Sequence, residues 1–204
     1  LEFRSLEGHE QFSKLFEYRV RLLSQSSAIS AKSLLGKDMS IEVDLTTEVG
    51  GGGKRYLSGQ VTQFTYVGKD GDYYAYDALL RPWLWHATRR SDFKIFQFMK
   101  VPDIVKDVLG KYGFSIEDKL CGQYRTWDYV VQHGETDFNF ISRLLEQEGA
   151  YFFFQHSNGS HKLVLGDDIG RHSPLPNGPT TIPYYAGERA AHVHGEDFVD
   201  TLTY

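Results

Sequence analysis

Hydrophobic and polar residues alternate along much of the first 82 positions, which is the pattern of strands with one buried face. Residues 12–24 show this pattern most clearly, because charged side chains lie opposite an apolar side. The apolar side consists of Phe16, Tyr18, Val20 and Leu22. The same alternation predicts strands over residues 39–45, 57–67 and 73–81. We therefore expect four strands in this part of the chain.

Turn-forming residues separate these predicted strands. Residues 49–54 include the consecutive glycines Gly50, Gly51, Gly52 and Gly53, which cost too much backbone entropy inside a strand and predict a hairpin tip. Residues 68–72 have the length and the Gly and Asp content of another hairpin connection. Residues 30–35 predict a single helical turn that ends at Gly36.

The spacing of apolar residues changes to a helical period after residue 100. Pro102 suits the first turn of a helix that ends at Gly113. Thr136 is placed to cap a second helix, and Gly149 is placed to end it in the left-handed conformation. The apolar faces consist of Ile104, Val105, Val108, Leu109 and Tyr112 in the first helix and of Phe138, Ile141, Leu144 and Leu145 in the second.

Strand patterns return after the second helix. Residues 150–155 and 162–165 predict a hairpin across residues 157–160, and residues 180–185 and 190–194 predict two further strands. Strands grouped apart from helices favour an α+β fold over a doubly wound parallel sheet. We expect a mainly β molecule built from antiparallel β-barrel domains with an inserted helical segment.

This order of elements predicts three parts. Residues 1–90 would form a first antiparallel β-barrel-like domain, and residues 91–149 a helical and mixed connecting segment. Residues 150–204 would begin a second β-barrel-like domain, which we expect to be incomplete because the chain stops in a strand-like pattern.

Composition narrows the class of protein. The 22 Lys and Arg residues against 27 Asp and Glu residues give a net charge of −5, which argues against nucleic acid as a partner. The apolar runs are far shorter than the roughly 20 residues that span a bilayer. A single cysteine excludes an intrachain disulfide, and the start at Leu1 lacks the pattern of a signal peptide.

The sequence contains several candidate chemical groups, but none forms a convincing site. His192 and His194 would share one face of a strand, yet they supply two metal ligands at most. Glu146 and Glu148 would point about 200° apart on a helix, so they do not form the convergent pair that glycoside hydrolysis needs. Asp167 and Asp168 are adjacent in a predicted turn. No metal or cofactor is expected.

Nucleophile and nucleotide motifs are equally weak. Cys121 lies between Leu120 and Gly122 without a neighbouring His or basic cluster to activate its thiol. The glycine run is followed by Lys54 and Arg55 rather than by the Lys-Ser or Lys-Thr ending of a phosphate-binding loop. We therefore predict no catalytic residues and no enzymatic activity.

A cluster of aromatic and basic residues follows the fourth predicted strand. The cluster consists of Trp83, Trp85, His86, Arg89 and Arg90. Such side chains can stack on a sugar, so a carbohydrate-active β module, either a cell-wall glycan hydrolase or a sugar-binding domain, is the alternative function. Aromatic residues directly after a strand more often pack at the edge of a core, and we favour that interpretation.

Four runs of sequence carry a family resemblance when they are taken together. They read FRSLEGHEQFSKLFEYRVRLLS from Phe3, LLRPWLWHATRRSDFKIFQ from Leu79, VPDIVKDVLGKYGF from Val101 and TDFNFISRLLEQEGAYFFF from Thr136. Through these four runs the chain resembles the VgrG family, and the resemblance extends from Phe3 to about Asp168. Members of this family are the spike or tip proteins of bacterial type VI secretion and are similar in fold to phage baseplate hubs.

The resemblance implies a structural role and a set of partners. It implies a hub-like region of antiparallel barrels with inserted helices, assembled as a homotrimer that caps the hexameric Hcp tube. Effector or spike-tip proteins would be further partners, and the target membrane would be punctured mechanically. The protein would start in the bacterial cytoplasm and leave the cell when the system fires. The resemblance supplies no catalytic residues for this region.

Overall fold

The computed structural model describes residues 1–44 and 53–172, together with Thr181 and Tyr184. Its first part is a five-stranded antiparallel sheet. The strands are β1 (Glu2–His9), β2 (Glu17–Ser24), β3 (Asp38–Asp44), β4 (Lys54–Asp70) and β5 (Tyr73–Arg81). Their spatial order is β1-β2-β5-β4-β3. A helical turn, α1 (Ala31–Leu34), lies between β2 and β3, as predicted.

Strand β2 shows why this sheet forms. Its apolar residues Tyr18, Val20 and Leu22 are buried, whereas Arg19 on the opposite face is exposed. The alternation predicted this strand correctly, but the prediction started it too early, because Phe12 lies in a loop and the strand begins at Glu17. Strand β1 was not predicted, because its sequence has few apolar residues and nearly all of its positions are exposed.

The connection between β4 and β5 is tighter than predicted. The strands extend to Asp70 and from Tyr73, so Gly71 and Asp72 alone form the turn. Gly71 has φ +60°, the left-handed backbone that the first central position of such a hairpin turn requires. Gly68, which was predicted in the loop, lies in β4 beside a register shift, with φ +123°.

The second part of the molecule contains the two predicted helices and several short strands. In chain order they are β6 (Ser91–Phe96), β7 (Met99–Lys100), α2 (Val101–Gly110), β8 (Ile116–Lys119), β9 (Thr126–Trp127), β10 (Val130–Thr136), α3 (Asp137–Gln147), β11 (Tyr151–Ser157) and β12 (Ser160–Gly166). A 3₁₀ helix, Trp83–Thr88, precedes them and another, Ile169–Arg171, follows them.

Both long helices begin where the sequence predicts, but α2 ends at Gly110, three residues before the predicted stop at Gly113. Pro102 lies in the first turn of α2. The Thr136 hydroxyl accepts a hydrogen bond from the Asn139 backbone N–H at 3.2 Å and so caps α3. Gly149 follows α3 with φ +72°.

The short strands form three small sheets. Strands β6 and β10 pair antiparallel, as do β7 and β9. The predicted hairpin of β11 and β12 is confirmed, and β12 also pairs in parallel with β8, a contact that the sequence prediction did not contain. The α+β, mainly β prediction is confirmed.

Two apolar clusters hold these elements together. The first lies on one face of the five-stranded sheet around Phe16, Val20 and Leu80. The second is built around Trp83 and the facing sides of α2 and α3, and it includes Phe152 and Leu163 from the β11–β12 hairpin. Phe154 packs against both clusters, so the hairpin lies where the two cores meet.

Some predictions concern residues outside those that the structure describes. They are most of the strand at residues 180–185, the strand at residues 190–194 and most of the glycine-rich hairpin tip. Within the described ranges, no helix combines the length and the apolar character that crossing a bilayer takes.

Candidate functional site

The tryptophan and arginine cluster does not form a ligand groove around Trp83. Trp83 is only 1% exposed and stacks on Phe114, with ring centres 4.9 Å apart. Its backbone N–H donates to Nε2 of His161 at 2.8 Å. This tryptophan is part of the second core, as the packing interpretation of the sequence predicted.

Trp85 is half-buried, but its ring already has neighbours. The guanidinium carbons of Arg81 and Arg89 lie 5.4 and 4.6 Å from its ring centre. Two cations of the chain itself therefore already lie over the Trp85 ring. Of the other two members of the cluster, His86 lies edge-on to the Trp85 ring at 5.5 Å and contacts the side chain of Gln60 at 2.9 Å, whereas Arg90 is exposed.

The candidate carboxylates do not converge in pairs. Glu148 accepts a hydrogen bond from the indole N–H of Trp127 at 2.9 Å, whereas Glu146 is exposed. Asp168 caps the short 3₁₀ helix by accepting from the Gly170 N–H. Its neighbour Asp167 makes a different set of contacts.

Asp167 anchors the loop that contains Cys121. Its carboxylate accepts from the backbone N–H groups of Cys121 and Gly122, from the Cys121 thiol at 3.1 Å and from the Tyr124 hydroxyl at 2.6 Å. Burial raises the pKa of Asp167, but these hydrogen bonds outweigh it and lower the pKa to about 2. Asp167 and Cys121 therefore act together as a loop anchor.

A buried carboxylate that the sequence search missed lies at the start of α3. Asp137 is fully buried and contacts the Tyr112 hydroxyl at 2.6 Å, the Gln132 amide at 2.8 Å and the Lys111 ammonium at 2.7 Å. Burial raises the pKa of Asp137, yet these partners lower it more, so it lies below its usual value. The only sequence signal was an acidic residue directly after a helix cap.

Two histidines were also missed, and they lie on the β11–β12 hairpin. His156 and His161 have ring centres 6.3 Å apart, and both pack against Phe16. Burial, and then the charge of His156, lower the pKa of His161 to about 4. His161 is therefore neutral near pH 7 and can accept the hydrogen bond from Trp83.

In the part of the chain that the structure describes, no three His, Cys, Asp or Glu residues come together in a way that could hold a metal ion. His192 and His194 lie outside that part. The prediction that the chain binds no metal or cofactor thus stays a prediction.

One surface feature of the described residues is an apolar ribbon face. It lies on the outer side of β6 and β10, where Phe93 is 74% exposed and Ile95 is 55% exposed beside Val131. The inner side of the same ribbon is buried through Phe96 and Val130. Neighbouring exposed apolar side chains of this kind can mark a surface that binds another protein.

The comparisons with known proteins identify the family. The model of the phage tail baseplate hub (GPD) family matches residues 9–204. The type VI secretion system spike protein VgrG1c of Pseudomonas aeruginosa is 45% identical over 186 residues, which is 91% of this chain and 25% of that protein. The chain therefore spans about a quarter of the length of this curated relative.

Solved structures have the same fold. The E. coli c3393 protein, a component of the type VI secretion system with structural similarity to the T4 tail proteins gp27 and gp5, matches 93% of this chain and 50% of its own with a TM-score of 0.73 at 26% identity. A chain of the Francisella PdpA–VgrG complex matches 82% of this chain and 28% of its own with a TM-score of 0.59 at 12% identity. Since the family model covers nearly all of the chain and VgrG1c is 45% identical over most of it, this chain belongs to the phage tail baseplate hub family and, within it, to the VgrG spike proteins.

Proposed function

We propose that this chain is a structural, non-enzymatic hub region of a type VI secretion spike. In this function it forms a homotrimer, caps the hexameric Hcp tube and transmits thrust to a tip that punctures a target membrane. Effector or spike-tip proteins bind to the same assembly. The protein resides in the bacterial cytoplasm before firing and is exported through the secretion system.

The proposal rests mainly on one observation: the side chains that could take part in chemistry contact other parts of the chain. Trp83, Asp137, Asp167 and His161 all contact other parts of the chain, and each contact joins elements that are distant in sequence. A scaffold that bears load needs such cross-links. Catalysis, by contrast, needs groups aimed at a substrate.

The apolar ribbon face supports the assembly part of the proposal. Phe93 and Ile95 are large and exposed, and they lie opposite His133 and Val131 on the neighbouring strand. Aromatic residues such as Phe93 are enriched at interfaces between proteins. A closed threefold ring also needs surfaces that bind a neighbouring copy without leading to open polymers.

Light scattering of the full-length protein, with and without the tube protein, tests the function. We expect the mass of a trimer and co-elution with the tube protein. A full-length protein that stays monomeric and does not bind the tube protein would contradict the proposal. Turnover of peptidoglycan or another glycan by this chain would contradict the non-enzymatic part and favour the carbohydrate-active alternative.

A further inference from the structure

A buried polar contact joins the β11–β12 hairpin to the five-stranded sheet. Ser58 on β4 is fully buried, and its hydroxyl donates to the carbonyl oxygen of Ser157 at 2.6 Å. The backbone N–H of Ser58 donates to Nδ1 of His156 at 3.1 Å. Ser40 on β3 lies 2.5 Å from the Ser58 hydroxyl and accepts from the Gly159 N–H at 2.8 Å. Two strands of the sheet thus hold the tip of the hairpin.

A second contact holds the base of the same hairpin. The backbone N–H of Ser13 donates to the carbonyl oxygen of Phe152 at 2.8 Å, and the Phe152 N–H donates back to the Ser13 hydroxyl at 3.3 Å. Ser13 has φ +56°, a left-handed backbone that is unfavourable for a residue other than glycine. Such strain persists only where surrounding contacts hold it.

Apolar packing fills the space between these two contacts. Phe16 from the first core meets Phe154 edge-on at 5.1 Å and lies 4.9 Å from the His156 ring. Apolar surfaces alone tolerate small sliding movements, whereas hydrogen bonds to buried groups fix one geometry, because an unpaired buried group is costly.

The chain itself passes between the cores directly after β5, at Arg81 to Trp83. A single covalent passage leaves the relative orientation of two packed units open. We propose that Ser13, Ser40, Ser58, His156 and Ser157, here called the junction, couple the two cores into one cooperative unit. The use of this rigidity to transmit thrust rests on the proposed function, but the coupling itself does not.

Hydrogen exchange tests the coupling in the 204-residue chain. Val20→Ala weakens the first core, and the amides of α3 report on the second core. With the junction intact, we expect Val20→Ala to speed exchange in β2 and in α3 alike, by about tenfold or more. In a Ser40→Ala/Ser58→Ala background, β2 should still respond, whereas α3 should change by less than about twofold.

The matched control is Ser24→Ala/Ser33→Ala, which removes two serine hydroxyls that make local hydrogen bonds outside the junction. This control should leave the transmission to α3 intact. If the double junction variant does not fold, Ser40→Ala alone replaces it in the test. This variant should reduce the effect of Val20→Ala on exchange in α3 relative to its effect in β2. The proposal would be overturned if Val20→Ala still sped exchange in α3 to the same extent in either junction variant. It would also be overturned if Val20→Ala did not speed exchange in α3 when the junction is intact. A failure to trimerise in light scattering would leave this result unaffected.

Discussion

The backbone N–H of Trp83 donates a hydrogen bond to Nε2 of His161 over 2.8 Å. This bond links the first turn after the five-stranded sheet to the β11–β12 hairpin. It requires a neutral imidazole, because a protonated ring has no nitrogen left to accept. The lowered pKa of His161, about 4, agrees with that requirement.

The first prediction concerns the pH dependence of stability. Between pH 6.5 and pH 4 the unfolded chain binds a proton at His161 that the folded chain does not, so the free energy of unfolding falls as the pH falls. The loss from this residue should be roughly 3 kcal/mol between pH 7 and pH 4. In His161→Gln that contribution should disappear from urea denaturation curves. The control His9→Gln, at an exposed site, should keep it, and equal pH profiles for both variants would contradict the assignment.

The second prediction concerns the buried Asp137. Asp137→Asn removes the charge that balances Lys111 and should lower the free energy of unfolding by about 3 to 5 kcal/mol, because it breaks a buried ion pair. The matched control is Asp103→Asn, which changes an exposed acidic residue in the first turn of α2 and should cost less than about 1 kcal/mol. Urea denaturation separates the two. A loss in Asp137→Asn as small as the one expected for the control would show that the Asp137 contacts are not stabilising.

Sequence patterns predicted the elements whose contacts are local. The alternation in β2 and the apolar faces of α2 and α3 depend on residues within a few positions of each other, so the pattern is complete in a short window. Strands β6 and β10 escaped prediction because they pair with each other across more than 30 residues, so no hairpin signal joins them. Strand β1 escaped because the edge of a sheet requires little apolar sequence.

The candidate site was less predictable for the same physical reason. Tyr112 and Asp137 are 25 residues apart, and Trp83 and His161 are 78 apart, so only the fold brings them together. The burial of Trp83 was predicted because an aromatic residue after a strand usually completes a core. The division at residues 90 and 149 stays a prediction.

The third prediction concerns the cap of α3. Thr136→Ala removes the acceptor for the Asn139 N–H and should lower the free energy of unfolding by about 1 kcal/mol. Thr136→Ser keeps a hydroxyl and should stay within a few tenths of a kcal/mol of the unaltered chain. Thermal or urea denaturation of the two variants gives the comparison. If the serine variant loses as much as the alanine variant, the threonine acts through its methyl packing instead.

The fourth prediction concerns the apolar ribbon face and the proposed assembly. Phe93→Ser with Ile95→Ser removes two exposed apolar side chains that contribute little to the folded chain by itself, so its free energy of unfolding should change by less than about 1 kcal/mol. If the face binds a neighbouring copy, the same change should weaken association of the full-length protein by about tenfold or more in light scattering. The matched control is Ile169→Ser, which removes another exposed apolar residue, 85% exposed and outside the ribbon, and should leave association intact. Unchanged association in the ribbon variant would show that the assembly uses a different surface, whereas equal weakening by the control would point to a general loss of apolar surface.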